Sequence, residues 1–203
     1  MAFDKYGVPI QKISLRSGAN TYLTDSAAEW QSLSINGNAG NDRISVGAWA
    51  YGQVLGGKDD DIIGGNTRRQ SLFNGNMGND VITGSYIGDD PDDITVYRGG
   101  QGDDLFNVGK GIIYGDKGAD TYTLHERYQY NGQPNVVVKD FEPYKDVLKI
   151  DSRGGSVPVI SYSLGAEGVY VTASSTGAPQ AFPSMLLEGL TTTEGVSTVI
   201  YSQ

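Results

Sequence analysis

Residues 37–42 read GNAGND, and four variants of this hexapeptide follow along the chain. The variants are GGKDDD (56–61), GNMGND (75–80), GGQGDD (99–104) and GDKGAD (115–120). After each hexapeptide comes any residue, then an apolar residue, then a small or polar one. This is the nine-residue pattern G-G-x-G-x-D-x-U-x, with U apolar, which is typical of parallel β-solenoids. The repeats therefore predict the fold of residues 33–124.

The spacing of the hexapeptides predicts how the solenoid is wound. Their first glycines are Gly37, Gly56, Gly75, Gly99 and Gly115, at intervals of 19, 19, 24 and 16 residues. A tandem array would repeat every nine residues, whereas these intervals correspond to about two nonapeptides. We therefore expect one full coil with two strands per interval, and all five turns on one edge of the solenoid.

The opposite edge is expected to consist of unlike segments. These segments are residues 47–52, 64–70, 84–93 and 109–111. The longest interval places a bulge in the third segment, GSYIGDDPDD. The predicted fold is all-β: a right-handed parallel β-roll or β-helix with a full-turn period of about 18–19 residues and a cap at each end.

Apolar residues flank each turn at a fixed distance. Two residues before each turn stand Ile35, Val54, Phe73, Tyr97 and Ile113. Two residues after each turn stand Ile44, Ile63, Ile82, Phe106 and Tyr122. Because strands alternate faces with period two, stacking the turns brings each set together as a continuous inward ladder. A shift of one residue would expose both ladders to solvent, so the pattern predicts the register.

The turn residues suit a calcium ion. Glycine accepts positive φ, so a turn can direct its carbonyl groups toward an ion, and Ca²⁺ takes six to eight oxygen ligands. Stacked aspartates repel each other, and ions between successive turns would remove that repulsion. Five stacked turns enclose four gaps, so about four ions are expected, and they would offset most of the formal charge of -9. The alternative is an Asp- and Gly-rich solenoid without metal.

The candidate calcium ligands are the backbone groups and the final carboxylate of each turn. They are Gly37, Ala39, Gly40 and Asp42; Gly56, Lys58, Asp59 and Asp61; Gly75, Met77, Gly78 and Asp80; Gly99, Gln101, Gly102 and Asp104; and Gly115, Lys117, Gly118 and Asp120.

This stretch resembles the RTX, or haemolysin-type, calcium-binding repeats. The resemblance implies that the final aspartate and the turn carbonyls of two successive turns surround each ion. It also implies a secreted bacterial protein, exported by a leaderless type I route and folding on calcium outside the cell. Four turns depart from the pattern, because Asp59 replaces the fourth-position glycine, and Asn38, Asn76 and Asp116 replace the second. Asparagine tolerates the left-handed region better than aspartate, so the turns that end in Asp61 and Asp120 fit the pattern least well. Asp92 and Asp93 form either a degenerate sixth turn or a solvated acidic loop.

A second resemblance lies directly after the repeats, in VVVKDFEPYKDVLKID (136–151). Many proteins with these repeats carry a similar D-F-x-x-x-x-D-x-L-x-I segment. By this resemblance, Asp140 and Asp146 bind a further ion where the roll ends. The alternative is a hairpin with solvated acids.

The remaining segments complete a three-part organisation: an N-terminal cap (1–32), the calcium-binding roll (33–135) and a C-terminal β cap (136–203). In the first part, residues 26–29 match a capping box and predict a short helical turn within 26–32 that ends on Trp30. Trp30 either covers the last apolar layer or stacks on a ligand. Trp49 and Tyr51 are either packed or form an exposed aromatic platform. Four short strands are expected over 157–203, and the tail is a candidate export signal.

Composition excludes several classes of function. There is no cysteine for a disulfide framework, no apolar stretch long enough for a membrane span and no visible N-terminal secretory signal. The acidic charge argues against nucleic acid. The only histidine, His125, cannot form a zinc protease motif or a Ser-His-Asp triad, so no enzyme is expected. Two classes remain: a structural or secretion module that binds calcium, and a calcium-dependent module that binds polysaccharide or a cell surface. The sequence does not indicate an oligomeric state.

Overall fold

The computed structural model of the protein contains strands and turns. It describes residues 2, 4–24, 30–86, 94–125, 134–152, 159–174 and 185–202. Most of the segment expected as a helical turn, 26–29 of 26–32, and the acidic pair Asp92 and Asp93 lie outside these residues. Where the rest of that segment is described the expectation is wrong, because a β-strand, Gln31–Asn36, begins directly after Trp30. Within the described parts there is no helix, and hence no helix that could span a membrane.

The described residues form eighteen strands. They are β1 (Ile10–Ser14), β2 (Thr21–Leu23), β3 (Gln31–Asn36), β4 (Arg43–Val46), β5 (Ala50–Lys58), β6 (Ile62–Thr67), β7 (Leu72–Met77), β8 (Val81–Tyr86), β9 (Val96–Gln101), β10 (Leu105–Val108), β11 (Gly111–Lys117), β12 (Thr121–His125), β13 (Val136–Val138), β14 (Val147–Ser152), β15 (Val159–Leu164), β16 (Gly168–Ser174), β17 (Met185–Glu188) and β18 (Ser197–Ser202).

The strands form two sheets that alternate along the chain. One sheet has the order β1-β3-β5-β7-β9-β11-β13-β17-β16-β15, and the other has the order β18-β14-β12-β10-β8-β6-β4-β2. All pairs are parallel except those of β16 with β15 and with β17. Each coil therefore contributes one strand to each sheet, which confirms the parallel β-solenoid with a full-turn period.

The register is the predicted one. Ile82 pairs with Ile63 on one side and with Phe106 on the other, across 19 and 24 residues of chain. Phe73 likewise pairs with Val54 and Tyr97. Every residue of both inward ladders is at most 2% exposed. The rings of Phe106 and Tyr122 stack at 5.3 Å, so the ladder continues with aromatic side chains in its later coils.

The coil pattern also extends beyond the Gly/Asp turns. Ile13 of β1 pairs with Ile35, and Tyr22 of β2 pairs with Ile44, so the segment predicted as an N-terminal cap supplies a coil of the same two sheets. At the other end, β13 with β14 and β17 with β18 continue both sheets in parallel. An antiparallel hairpin, β15–β16, is added beside β17. The four strands expected over 157–203 are present as β15 to β18.

The prediction for the opposite edge is wrong in part, because the strands run further than expected. The predicted edge segments at 64–70 and 84–93 begin inside β6 and β8, which end at Thr67 and Tyr86. Close packing between coils is the physical reason. A Cβ on Gly64 would lie 2.0 Å from the carbonyl oxygen of Thr83, so glycine here permits strand pairing and does not make a turn.

Candidate metal centre

The five Gly/Asp turns share one backbone conformation. The second and fourth residues of every turn have positive φ. In the second position these are Asn38, Gly57, Asn76, Gly100 and Asp116, and in the fourth position Gly40, Asp59, Gly78, Gly102 and Gly118. The departures from glycine are all asparagine or aspartate, the types that best tolerate this region. The turns that end in Asp61 and Asp120 therefore keep the common shape.

The final aspartates of the turns form a row along one edge, joined by hydrogen bonds. In each rung a main-chain N–H donates to the Oδ1 of the aspartate in the following coil. The rungs run from Asp42 to Asp61, Asp61 to Asp80, Asp80 to Asp104 and Asp104 to Asp120, with N···O distances of 2.8, 2.8, 2.8 and 2.9 Å. The row continues to Asn20 at the N-terminal end, whose N–H donates to Asp42 at 2.7 Å, and to Asp146 at the other end, which accepts from Asp120 at 2.9 Å.

The second oxygen of these carboxylates lacks a partner. Oδ2 of Asp42, Asp61, Asp80 and Asp104 is buried and accepts no hydrogen bond within the described part of the chain. Each of the four residues is at most 2% exposed. A buried carboxylate oxygen without a compensating partner is costly. A proton or a cation at this oxygen would remove the cost.

A main-chain carbonyl of the next coil faces each of these oxygens. The distances below are measured from the position that a Cβ atom would occupy on the first glycine of each turn. Beside Gly99 this place is 2.0 Å from Asp104 Oδ2 and 2.7 Å from the carbonyl oxygen of Gly115. The same pair of atoms recurs beside the three preceding glycines. The pairs are Asp42 Oδ2 and Gly56 O beside Gly37, Asp61 Oδ2 and Gly75 O beside Gly56, and Asp80 Oδ2 and Gly99 O beside Gly75.

We call these four arrangements cradles. Each cradle holds one carboxylate oxygen and one carbonyl oxygen from successive coils, which is the hard donor set that calcium prefers. Among the described residues, no group of three or more acidic or histidine side chains forms a metal site. Further ligands for an ion would therefore come from the backbone or from water. The residues present fit calcium in this respect, and a side chain at the glycine would fill the cradle.

Burial raises the pKa of four carboxyl groups in the row. The pKa rises to about 7 for Asp61, to about 6 for Asp80, to about 8 for Asp104 and to about 7 for Asp120. Loss of hydration is the largest cause in each case, and neighbouring carboxylates add to it. A positive ion bound at the row would lower the pKa of these carboxyl groups.

A second row of side chains, on the solvent side of the turns, accepts further hydrogen bonds between successive coils. The N–H of Asn79 donates to Asp60, that of Asp103 to Asn79, and that of Ala119 to Asp103, each at 2.8 Å. These bonds run toward the preceding coil, whereas those of the inner row run toward the following coil. Each turn is therefore tied to both neighbours. This row was not predicted from the sequence.

The third-position residues of the turns contribute through their backbone. The carbonyl of Gln101 accepts from the N–H of Gly78, and that of Lys117 accepts from Gly102, at 2.8 and 2.9 Å. At the N-terminal end, Ala39 accepts from Gly18 at 2.7 Å. The side chains of Lys58 and Met77 are exposed. The carbonyls of Ala39, Gln101 and Lys117, three of the predicted ligand positions, thus join neighbouring coils on the turn edge.

Asp140 and Asp146 lie where the row ends. Asp140 accepts from the N–H groups of Gly115 and Asp116 at 2.8 and 2.9 Å. Asp146 accepts from Asp120 at 2.9 Å and from Glu142 at 2.8 Å. Both carboxylates have hydrogen-bond donors at both oxygens, unlike those in the cradles. Their binding of a further ion stays a prediction.

The aromatic residues of the first coils pack around an arginine. The guanidinium carbon of Arg69 lies 4.0 Å from the ring centroids of both Tyr6 and Trp30. Trp30 also contacts Trp49 edge-on at 4.9 Å. Tyr51 is buried, as the packing alternative predicts, and its hydroxyl accepts from Arg69 at 3.2 Å. A sugar stacking on Tyr6 or Trp30 from this side would have to displace Arg69.

Comparison with known proteins found no matching family model, no similar curated protein and no similar solved structure. The resemblance to RTX repeats therefore rests on the residues of the turns, and it stays a prediction.

Proposed function

We propose that the protein is a calcium-binding β-roll module that is stabilised by ions in the four cradles and has a structural role without catalysis. One observation carries the proposal: the same buried, unpartnered carboxylate oxygen faces the same main-chain carbonyl four times along one edge. Each ion would bridge two successive coils, held by an aspartate of one and a backbone carbonyl of the next. Calcium would thereby neutralise the row and join the coils.

The proposal includes a secreted, extracellular role reached by a leaderless route. The support is chemical. Calcium sites of extracellular modules have dissociation constants of roughly 10⁻⁴–10⁻³ M, so such a module is loaded outside a cell and empty inside it. A chain with a formal charge of -9 and a row of buried carboxylates would gain most from binding where calcium is abundant.

Isothermal titration calorimetry on chelator-stripped protein tests the proposal. We expect saturable binding of about four calcium ions per chain. Magnesium is the comparison ion, because it demands a smaller octahedral site and loses water reluctantly, so it should bind much more weakly. If calorimetry detects no calcium binding up to roughly 10⁻² M calcium, ten times the upper end of the expected dissociation constants, the proposal is contradicted.

A further inference from the structure

The first coil contains a turn that the Gly/Asp pattern does not reveal. Residues 15–20, LRSGAN, occupy the place in this coil that residues 37–42, GNAGND, occupy in the next. The strands that follow the two hexapeptides confirm the alignment, because Thr21 pairs with Arg43. We call residues 15–20 the N-terminal turn. It lies at the Asn20 end of the row of final aspartates, on the same edge as the five Gly/Asp turns.

The backbone of the N-terminal turn shares its contacts with the other turns. The N–H of its fourth residue, Gly18, donates to the carbonyl of Ala39 at 2.7 Å. The fourth-position glycines Gly78 and Gly102 donate to the third residue of the following turn in the same way. The φ of Gly18 is +98°, as it is at Gly40, so both turns bend alike at this position. The N-terminal turn is therefore a member of the same stack.

Two side chains distinguish the N-terminal turn. Its first residue is Leu15 and its last is Asn20, where the five Gly/Asp turns have glycine and aspartate. Leu15 nevertheless stands against the next coil as a first glycine does. Its N–H donates to the carbonyl of Asn36 at 2.9 Å, and the N–H of Gly37 donates to that of Leu55 at the same distance. The two substitutions therefore change the side chains of the turn and not its backbone pairing.

A side chain at the first position leaves no space for an ion. A Cβ on Gly37 would lie 2.0 Å from the carbonyl oxygen of Gly56 and 2.6 Å from Asp42 Oδ2, the two oxygens of that cradle. Leu15 carries such a Cβ, and its partly buried side chain packs against the hydrophobic core. We therefore expect the place equivalent to a cradle to be filled in the N-terminal turn.

The side-chain amide of Asn20 supplies hydrogen-bond donors in this turn. Its Nδ2 donates to the carbonyl of Arg16 at 2.6 Å, to the carbonyl of Gly18 and to Oδ1 of Asp42 at 3.0 Å. These partners are two main-chain carbonyls of one turn and a carboxylate of the next coil. Calcium takes oxygen ligands of both kinds. The amide hydrogens therefore point at acceptors that a cation could otherwise bring together, and they do so without a positive charge.

An aspartate at position 20 would act in the opposite way. It would place a negative oxygen, instead of the amide nitrogen, against the same three acceptors, which is unfavourable unless a cation lies between them. Asparagine is uncharged and carries two donors on Nδ2, so the turn is satisfied without metal. Leu15 and Asn20 thus complement each other, because the leucine fills the space of an ion and the asparagine removes the need for one.

We propose that the N-terminal turn closes the row of calcium sites without an ion, because Leu15 fills the cradle and the amide of Asn20 takes the place of the cation. This inference rests on the proposed function, since it defines where the row of four cradles begins. The first coil then stays joined to the second when calcium is removed, whereas the coils from Asp42 onward lose their bridging ions.

Native mass spectrometry of calcium-loaded protein counts the ions on each chain and tests the inference. The double variant Leu15→Gly, Asn20→Asp gives the N-terminal turn the first and last residues of its neighbours, which creates a fifth cradle. It should carry one ion more than the wild type, five against four. An equal count in a double variant that keeps the wild-type β-sheet signal in circular dichroism overturns the inference.

The two single variants are the matched controls. Leu15→Gly opens the space without adding a carboxylate, and Asn20→Asp adds a carboxylate without opening the space. Each should therefore carry the same number of ions as the wild type. An additional ion in Asn20→Asp alone would show that Leu15 does not exclude it, and an additional ion in Leu15→Gly alone would show that the amide does not replace it. Either result contradicts the inference.

A second comparison leaves Leu15 in the core, so it decides if the double variant does not fold. Asn20→Ala and Asn20→Asp both remove the amide donors, but only the aspartate adds a negative oxygen beside the acceptors. In EDTA, Asn20→Asp should therefore melt at a lower temperature than Asn20→Ala, and Asn20→Ala at a lower temperature than the wild type. Equal midpoints for the two variants would mean that the amide only completes a turn and does not stand in for a cation.

These outcomes separate the inference from the proposed function. If the wild type binds no calcium, the proposed function fails, whereas the comparison of the Asn20 variants in EDTA still tests what the amide does. If the wild type carries four ions and the double variant also carries four, only the role of the N-terminal turn is refuted.

Discussion

The N–H of Asp80 donates to Oδ1 of Asp104 at 2.8 Å, although 24 residues separate them. The neighbouring rung, from Asp61 to Asp80, spans 19 residues and has the same length. The extra residues lie in the chain between the end of β8 at Tyr86 and the start of β9 at Val96. The aspartate edge therefore keeps a constant geometry although the coils differ in length.

Removal of metal should weaken the fold. If ions bridge successive coils, binding to the native state alone adds stability by mass action. We expect the thermal melting midpoint, followed by circular dichroism, to be higher in millimolar calcium than in EDTA. Equal midpoints in the two conditions would show that the cradles hold no ion that matters for stability.

Two adjacent aspartates should differ in their effect on calcium. Asp104 is buried in the inner row, whereas Asp103 belongs to the exposed outer row. Asp104→Asn keeps the acceptor for Asp80 but removes the charge, so calorimetry should show at least one site lost or strongly weakened. Asp103→Asn removes the same charge and keeps the acceptor for Ala119, so the number of sites should be unchanged.

When metal is absent, Asp104→Asn should not lower the stability of the fold. The substitution removes a buried carboxylate that has an unpartnered oxygen, so the stability in EDTA should rise or stay equal while the stabilisation by calcium falls. Loss of stability in both conditions to the same extent would show that the carboxylate acts only as a structural acceptor.

Stability without metal should fall as the pH rises. The pKa of Asp61, Asp80, Asp104 and Asp120 lies between about 6 and about 8 in the folded chain, against roughly 3.9 for an unfolded aspartate. Between these values the folded state binds more protons, so the free energy of unfolding decreases as pH increases. In EDTA, the melting midpoint should therefore be higher at pH 5 than at pH 8.

Calcium should weaken or reverse this trend, because the ion replaces the proton at the carboxylates and binds best when they are ionised. Parallel melts at pH 5 and pH 8 in excess calcium provide the control. A midpoint in EDTA that increases from pH 5 to pH 8 would mean that these carboxyl groups are not raised in pKa by burial.

The inward ladder predicts a contrast between two neighbours in β8. Ile82 is fully buried between Ile63 and Phe106, whereas Val81 lies on the outer face and is half-buried. In chemical denaturation with calcium present, Ile82→Ala should lower the free energy of unfolding by about 2–5 kcal/mol. Val81→Ala should cost well below that range. Equal losses would contradict the register of the core.

The sequence predicts the turn edge well, because the positive φ angles of Gly40 or Asn38 and the charge of Asp42 each demand particular residue types. It predicts the ends less well. Asn20 extends the row of final aspartates, because its N–H donates to Asp42, although no Gly/Asp hexapeptide precedes it. The first coil needs no such turn, since a parallel strand requires only apolar residues such as Ile13 and Tyr22 in register. The signal that could have identified it is a polar side chain directly before a strand, as in the five turns.

The role of a side chain at the end of a row depends on what the next coil brings, which the spacing of residues does not specify. Asp146 is an aspartate like Asp104, but the main-chain N–H of Glu142 donates to its second oxygen. Tyr122 follows the ladder pattern, yet the pattern describes only its ring and not its hydroxyl. These distinctions depend on how the next coil packs against each side chain.

The four hydrogen bonds accepted by Asp140 and Asp146 have a consequence for association between molecules. A solenoid that ended on an open Gly/Asp turn would offer its free N–H groups to a turn of another molecule, and exposed edges of this kind favour end-to-end growth. Here two side chains of the same chain already accept from Gly115, Asp116 and Asp120. The N–H groups of these three residues are therefore not available to a turn of another molecule.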